Sequence, residues 1–128
     1  MDYNAKQREY RRKTGNAATQ KYEKTKQGKL MRTYRNMQSR VTGILKKKAH
    51  LYEGLDILSR EEFYEWSLNG TQFHLLYDQW VASEYKPGMS PSVERVNPEK
   101  GYTIDNMEWI THSENSRRAA KTRERFKD

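Results

Sequence analysis

Two residues in the last third of the 128-residue chain carry oxygen donors that suit a metal ion. Glu94 offers a carboxylate and Asn115 a side-chain amide oxygen. Hard divalent cations bind such oxygens, and two protein ligands leave coordination positions open for phosphate and water. A cation held in this way polarises a phosphodiester, stabilises the leaving 3′ oxygen and lowers the pKa of a bound water. The pair therefore predicts phosphodiester hydrolysis with one Mg²⁺ (or Mn²⁺) ion per site.

Phosphodiester hydrolysis also needs a group that holds the phosphate and a group that takes a proton. Arg95 can hold a phosphate with its planar guanidinium, but it cannot deprotonate water. His112 is the first candidate for the general base, because imidazole titrates near neutral pH. Tyr102 and a water bound to the cation are the alternatives. The candidate catalytic residues are therefore Glu94, Arg95, His112 and Asn115.

The pattern around these residues predicts two strands followed by a helix. Residues Ser92–Val96 and Met107–Ile110 are typical of short strands, and a Pro- and Gly-containing turn separates them. Thr111 or Ser113 then caps a polar helix that runs to about Arg125. This order places the carboxylate of the first strand opposite the first turn of the helix.

The stretch SPSVERVNPEKGYTIDNMEWITHSENSRRAAK resembles the nuclease motif of HNH endonucleases, also called ββα-metal or His-Me finger enzymes, of the phage-borne and homing type. Many of these contain D-R-I-[DN]-x(3)-G-Y-x(3)-N, then a hydrophobic strand and an Asn on the next helix. Here the corresponding positions are Glu94-Arg95-Val96-Asn97, Gly101-Tyr102, Asn106, Trp109-Ile110 and Asn115. The resemblance covers about a quarter of the chain.

This resemblance implies an α+β protein whose mostly helical N-terminal part precedes a C-terminal ββα-metal motif. It implies a Mg²⁺- or Mn²⁺-dependent DNA endonuclease, which nicks as a monomer and cuts both strands as a homodimer or in two successive events. Asn106 would pin the turn between the strands, Gly101 would permit the backbone of that turn, and Tyr102 belongs to the same structural motif. The chain departs from the family by having Glu94 where Asp is usual and Arg95 where the general base His is usual.

The organisation upstream is helical. We expect residues 1–29 to form a basic DNA-binding arm that need not be ordered by itself, residues 30–88 a helical region, and residues 89–125 the nuclease motif. Apolar residues recur at helical spacing from Leu30 to Leu45, which predicts an amphipathic helix. Ser59 with Glu62 forms a capping-box pattern, and Thr71 is a candidate cap for the next helix.

The charge is concentrated at the N-terminal end. Residues 1–48 hold 15 Lys and Arg against three acids, whereas the remainder has a net charge of −4. A basic arm on a mildly acidic body favours a polyanionic partner, which we expect to be double-stranded DNA. Candidate contacts to phosphates lie on the first long helix and on the last one: Arg32, Arg35, Arg40, Arg117, Arg118 and Lys121.

Composition also excludes several classes of protein. The chain has no Cys, which rules out disulfides and Cys-based zinc sites, so we expect no zinc. The sequence contains neither an apolar run of about 18 residues nor an N-terminal signal pattern. We therefore expect a soluble protein of the cytoplasm (the host cytoplasm if the gene is phage-borne) with no membrane partner.

Two other functions remain open. The chain could be a DNA-binding protein that retains the HNH scaffold without catalysis, and metal-dependent cleavage separates that case from a nuclease. It could also be a basic RNA-binding or assembly accessory protein, which predicts RNA preference and no effect of Glu94→Gln. A structural role for Glu94, in a surface pair with Arg95 or Arg118, would favour either alternative.

Overall fold

The computed structural model describes Lys6 and residues 17–43 and 52–125, which form helices and one small sheet of an α+β protein. It divides into two compact units, residues 1–32 and 33–128, which are described separately. The elements in chain order are α1 (Ala17–Glu23), α2 (Lys26–Val41), α3 (Arg60–Asn69), α4 (Gln72–Ala82), β1 (Pro91–Arg95), β2 (Met107–Thr111) and α5 (His112–Arg125), with 3₁₀ turns at Pro87–Met89 and Ile104–Asn106. Among the described residues, no helix is long and apolar enough to cross a membrane.

The first unit contains α1 and the beginning of α2. The second helix begins at Lys26 and not at Leu30 as predicted, because Thr25 caps it: the Thr25 hydroxyl accepts a hydrogen bond from the backbone N–H of Gly28. The predicted end at Leu45 lies outside the described residues, and the helix ends at Val41. The described part of the basic arm is thus largely helical, and the rest of it lies outside the described residues.

The second unit is built around an aromatic core. Trp109 lies at its centre, with its ring 4.7 Å from Phe73 and 5.8 Å from Phe63, measured between ring centroids. The Trp109 indole N–H donates to the hydroxyl of Ser67, which is only 1% exposed. Tyr34 packs on Phe63 and donates its hydroxyl proton to the carbonyl of Leu58. Burial of these rings is the main source of stability in a chain with few aliphatic residues.

Helices α3 and α4 begin differently. The predicted capping box of α3 is confirmed: the Ser59 hydroxyl accepts from the N–H of Glu62, and the Glu62 carboxylate accepts from the N–H of Ser59. The predicted side-chain cap at Thr71 is wrong, since its backbone is already helical and its hydroxyl makes no capping bond. The helix starts there because the Thr71 carbonyl accepts from the N–H of Leu75.

Two consecutive left-handed residues, Glu84 and Tyr85, follow the end of helix α4, with φ of 60° and 63°. Such a conformation costs a non-glycine residue about 1 kcal/mol. Glu84 is exposed. We therefore expect Glu84→Gly to raise the free energy of unfolding by about 0.5–1 kcal/mol, measured by urea denaturation. The control is Gln79→Gly in the exposed interior of α4, which should lower it by about 1 kcal/mol; a loss of stability in both variants would contradict the interpretation.

Strands β1 and β2 form a two-stranded antiparallel ribbon with two different faces. The register pairs Val93 with Trp109 and Glu94 with Glu108. Because side chains alternate along a strand, Val93 and Trp109 face the helices α3 and α4, while the two glutamates face α5. The ribbon and the helical region that precedes it thus share one hydrophobic core. The predicted strands are confirmed within one residue at each end.

Candidate metal and nucleic-acid site on the ribbon

The polar face of the ribbon lies under helix α5. The helix begins where predicted, since the Thr111 hydroxyl accepts a hydrogen bond from the N–H of Glu114. One turn further on, the Asn115 amide donates from Nδ2 to the hydroxyl of Ser92 at 3.0 Å. Ser92 and Glu94 are alternate residues of β1 and therefore share a face. The structure thus places Glu94 and Asn115, the predicted ligand pair, on the same side of the ribbon.

Arg118 lies at the centre of three carboxylates on this face. Its Nη1 atom is 2.5 Å from Glu94 Oε2 and 2.5 Å from Glu108 Oε1. Its Nε atom is 3.0 Å from Glu114 Oε1. Glu94 and Glu108 stand directly opposite each other in the ribbon, and like charges in that position repel. The guanidinium bridges the two carboxylates, and its single positive charge offsets part of their repulsion. A surface pair with Arg118 was the structural role that the sequence also allowed for Glu94.

The third carboxylate of the cluster is ionised over a wide pH range. Hydrogen bonds from Arg117 and then Arg118 hold the pKa of the Glu114 carboxyl at about 2, well below its usual range. Its partners bind it from the same face of α5, with two bonds from Arg117 of 2.6 and 2.9 Å. The same carboxylates raise the pKa of Arg118, with Glu108 and Glu94 as the largest causes. The ion pairs of Glu114 with Arg117 and Arg118 therefore persist well into acidic pH.

The donor atoms on this face suit a hard cation. The Asn115 amide donates through Nδ2 to Ser92, an orientation that leaves its Oδ1 oxygen to act as an acceptor. The Glu94 side chain is about one-fifth exposed, and its Oε2 oxygen is bonded to Arg118. These are oxygen ligands of the kind that Mg²⁺ and Mn²⁺ prefer. Within residues 17–43 and 52–125, no group of three or more His, Asp or Glu side chains is placed so that it could hold a metal ion.

Arg95 does not lie on this face. Alternation along β1 turns it to the opposite side of the ribbon from Glu94. There its Nη1 atom donates to the carbonyls of Pro98 and Lys100, at 2.7 and 3.1 Å, and its guanidinium stacks 4.1 Å from the ring centroid of Tyr52. The predicted role of Arg95, to hold a phosphate beside Glu94, is therefore not supported by its position. The side chain instead braces the loop between the strands.

Asn106 closes the same loop, as the sequence predicted. Its Oδ1 accepts from the N–H of Asn97 at 2.8 Å, and its Nδ2 donates to the carbonyls of Asn97 and Gly101. The side chain is 4% exposed, so water cannot replace these bonds. Only an amide offers both an acceptor and two donors in this arrangement. Asn106 is therefore a structural residue that sets the separation of β1 and β2.

Asn106→Ala is expected to lower the free energy of unfolding by about 2 kcal/mol, because buried backbone groups of the loop lose their partners. Chemical denaturation followed by tryptophan fluorescence measures the change. The matched control is Asn69→Ala at the exposed end of α3, which should change stability by less than about 0.5 kcal/mol. Equal effects of the two substitutions would refute the structural role of Asn106.

Gly101 is required for a different reason from the one predicted. Its backbone is not left-handed; instead, a Cβ atom there would overlap the backbone of Asp56. At this point the segment around Ile57 runs parallel to Tyr102, with the Tyr102 N–H donating to Asp56 O and the Leu58 N–H to Tyr102 O. The glycine thus permits a close approach of two backbone segments.

The candidate general bases occupy contrasting positions. Tyr102 is buried, burial raises the pKa of its hydroxyl, and that hydroxyl accepts a hydrogen bond from Arg40. A neutral, buried phenol is a poor base near pH 7, so its position supports the structural role. The His112 side chain is exposed at the first position of α5. Its backbone N–H donates to the carbonyl of Ser90. It lies one helical turn before Asn115.

The predicted DNA contacts divide into paired and exposed side chains. Arg32 forms an ion pair with Glu23, and Arg40 bonds to Tyr102. Arg118 is held by carboxylates of the protein, and its expected contact with a phosphate stays a prediction. Arg117 is more than half exposed although it pairs with Glu114. Arg35 and Lys121 are exposed, with no ion pair to any described residue.

An open cleft of about 560 Å³ runs beside β2. Its floor is aromatic, formed by Trp66, Phe73 and Trp109, and Glu108 and Arg118 lie at its margin. The charged cluster is therefore reached by solvent from this side.

Three features of the ribbon were not predicted. Glu108 was not singled out, although the strand period places it on the same side of the ribbon as Glu94. The convergence on Arg118 was considered only as a pair with Glu94: the contact with Glu108 depends on the register and the helix orientation, and the contact with Glu114, four residues earlier on α5, was missed. The buried bond from Trp109 to Ser67 was also missed, although Ser67 follows Phe63 at helical spacing.

No family model matches the chain, and no curated protein and no solved structure is significantly similar to it.

Proposed function

We propose that this protein is a metal-dependent DNA endonuclease of the HNH (ββα-metal) type. The observation that carries the proposal is the shared face of Glu94 and Asn115, between a two-stranded ribbon and the first turns of the helix that follows it. The resemblance of residues 90–121 to that family predicted this order of elements and this juxtaposition. The loop closure by Asn106 supports the same assignment.

In this proposal the protein residues divide the work. Glu94 and Asn115 hold one Mg²⁺ or Mn²⁺ ion, which when bound supplies positive charge to the scissile phosphate and to the leaving 3′ oxygen. His112, one turn before Asn115 and exposed, takes the proton from the attacking water. Arg35, Arg117 and Lys121 contact phosphates, and the basic residues 1–48 supply salt-dependent affinity for double-stranded DNA. One site nicks one strand, and a homodimer or two successive events would be needed to cut both.

A second candidate is a DNA-binding protein that has the same scaffold without catalysis. Two observations favour it: Arg118 already neutralises Glu94, and Arg95 lies on the opposite face of the ribbon. Under this alternative, Glu94 serves stability and not metal binding. The basic charge of the chain suits both candidates equally.

A plasmid assay separates them. Supercoiled DNA is incubated with the protein in Mg²⁺, Mn²⁺ or EDTA, and binding to the same DNA is measured by gel shift over a salt series. The nuclease predicts conversion to nicked circles in either metal and none in EDTA. Salt-sensitive binding with intact supercoils in both metals would establish the non-catalytic alternative instead.

A further inference from the structure

The position of Arg118 suggests a role in metal binding, in addition to its expected contact with DNA. Its Nη1 atom bonds to Glu94 and Glu108 at once, each at 2.5 Å, and it thereby occupies one oxygen of the proposed metal ligand. A cation that binds Glu94 must compete with this guanidinium. The surrounding carboxylates therefore do not present an empty site, but one that already contains a positive group.

We propose that Arg118 is an internal counter-ion that is exchanged at Glu94 for the divalent cation, and that it thereby sets the affinity of the site. This inference rests on the proposed function, since it takes Glu94 as a metal ligand. Arg118 is a positioning residue in this scheme, because it acts on the cation through Glu94.

The geometry allows the exchange without loss of the helix position. Arg118 has two further carboxylate partners, Glu108 through Nη1 and Glu114 through Nε. When a cation takes Glu94, the guanidinium keeps these two bonds. Its side chain is about two-fifths exposed, so it can move toward solvent without opening the core. Glu108 thus holds Arg118 beside the site in both states.

Arg117 provides a matched control on the same helix. It is the neighbouring residue, carries the same charge, and is paired with Glu114 and not with Glu94 or Glu108. Arg117→Gln and Arg118→Gln therefore remove equal charge from α5. A purely long-range electrostatic effect would act in both variants, whereas exchange at Glu94 requires Arg118 alone.

The experiment is a Mn²⁺ titration of the full chain without DNA, followed by calorimetry and by the shift in unfolding temperature. Arg118→Gln is expected to bind Mn²⁺ on the order of tenfold more tightly than wild type, the effect of removing one charge-assisted contact at the ligand. Arg117→Gln should stay within about threefold of wild type. A gain in affinity is not a result that structural damage produces, and Arg118→Lys, which keeps the charge without the bridging fork, should fall between.

Each outcome has one meaning. If Arg118→Gln and Arg117→Gln bind Mn²⁺ as wild type does, and Glu94→Gln abolishes binding, the exchange is refuted while the proposed metal site stands. If the two arginine variants gain affinity equally, a specific exchange is refuted as well. If neither wild type nor Arg118→Gln binds Mn²⁺, both the exchange and the metal site at Glu94 are refuted.

Discussion

Gly101→Ala is expected to destabilise the protein by roughly 3 kcal/mol or more, a large share of the stability of a small domain. The added methyl group would overlap backbone atoms of Asp56. Unlike the end of a side chain, these atoms cannot rotate away. Relief requires separation of the two segments and loss of the bonds from Tyr102 N to Asp56 O and from Leu58 N to Tyr102 O. Urea denaturation of both proteins measures the difference.

Gly70→Ala is the matched control for this substitution. Gly70 is exposed after α3, its φ of −82° suits any residue, and an added Cβ would meet only the Trp66 carbonyl at 3.2 Å. Its effect should be smaller than about 1 kcal/mol. If Gly101→Ala is tolerated as well as Gly70→Ala, the close approach of the two backbone segments is not a feature of the folded protein.

Glu94→Gln is expected to lower the rate of DNA cleavage by about a thousandfold, which corresponds to about 4 kcal/mol of lost transition-state stabilisation. The substitution preserves the shape of the side chain but removes the charge that the proposed metal ion requires. Its effect on stability should be small, since pairs of partly exposed groups contribute about 1 kcal/mol or less. A labelled duplex under single-turnover conditions measures the rate.

Two comparisons make this test specific. Glu99→Gln removes an exposed carboxylate from the loop between the strands and should leave the rate within about threefold of wild type. At the second proposed ligand, Asn115→Ala should abolish cleavage, whereas Asn115→Asp, which keeps an oxygen donor, should retain part of it. Cleavage by Glu94→Gln at the wild-type rate would remove Glu94 from the reaction.

The elements of the ribbon could be predicted because their signals are local. Alternation of apolar and polar residues identified β1 and β2, and of the two candidate caps for α5, Thr111 and Ser113, the structure has Thr111. The role of Asn106 was also predictable, because the motif resembles that of a family in which an Asn at this position closes the same loop. The start of α2 was wrong because its cap, Thr25, precedes the apolar stripe, and a helix can extend beyond its apolar stripe.

The candidate site was predicted only in part, because its charges depend on register and on helix orientation. The sequence placed Glu94 and Asn115 together, and the strand period separates Glu94 from Arg95, yet Arg95 was still expected at the phosphate. The alternation of side chains along the strand does not show which partners Arg95 has, namely the loop carbonyls and the ring of Tyr52. The bridge from Arg118 to Glu108 required the tertiary structure.

The most direct measurement for the account concerns the chemistry of the cut. Plasmid nicked by the purified protein in Mn²⁺ is treated with DNA ligase, which reseals only 5′-phosphate and 3′-hydroxyl ends, and Glu94→Gln is purified and assayed in parallel. We expect wild type to make nicks that ligase reseals, because the 3′ oxygen is the leaving group. We expect no detectable nicks from Glu94→Gln over the same time. Absence of nicking by wild type, or equal nicking by both proteins, would contradict the account.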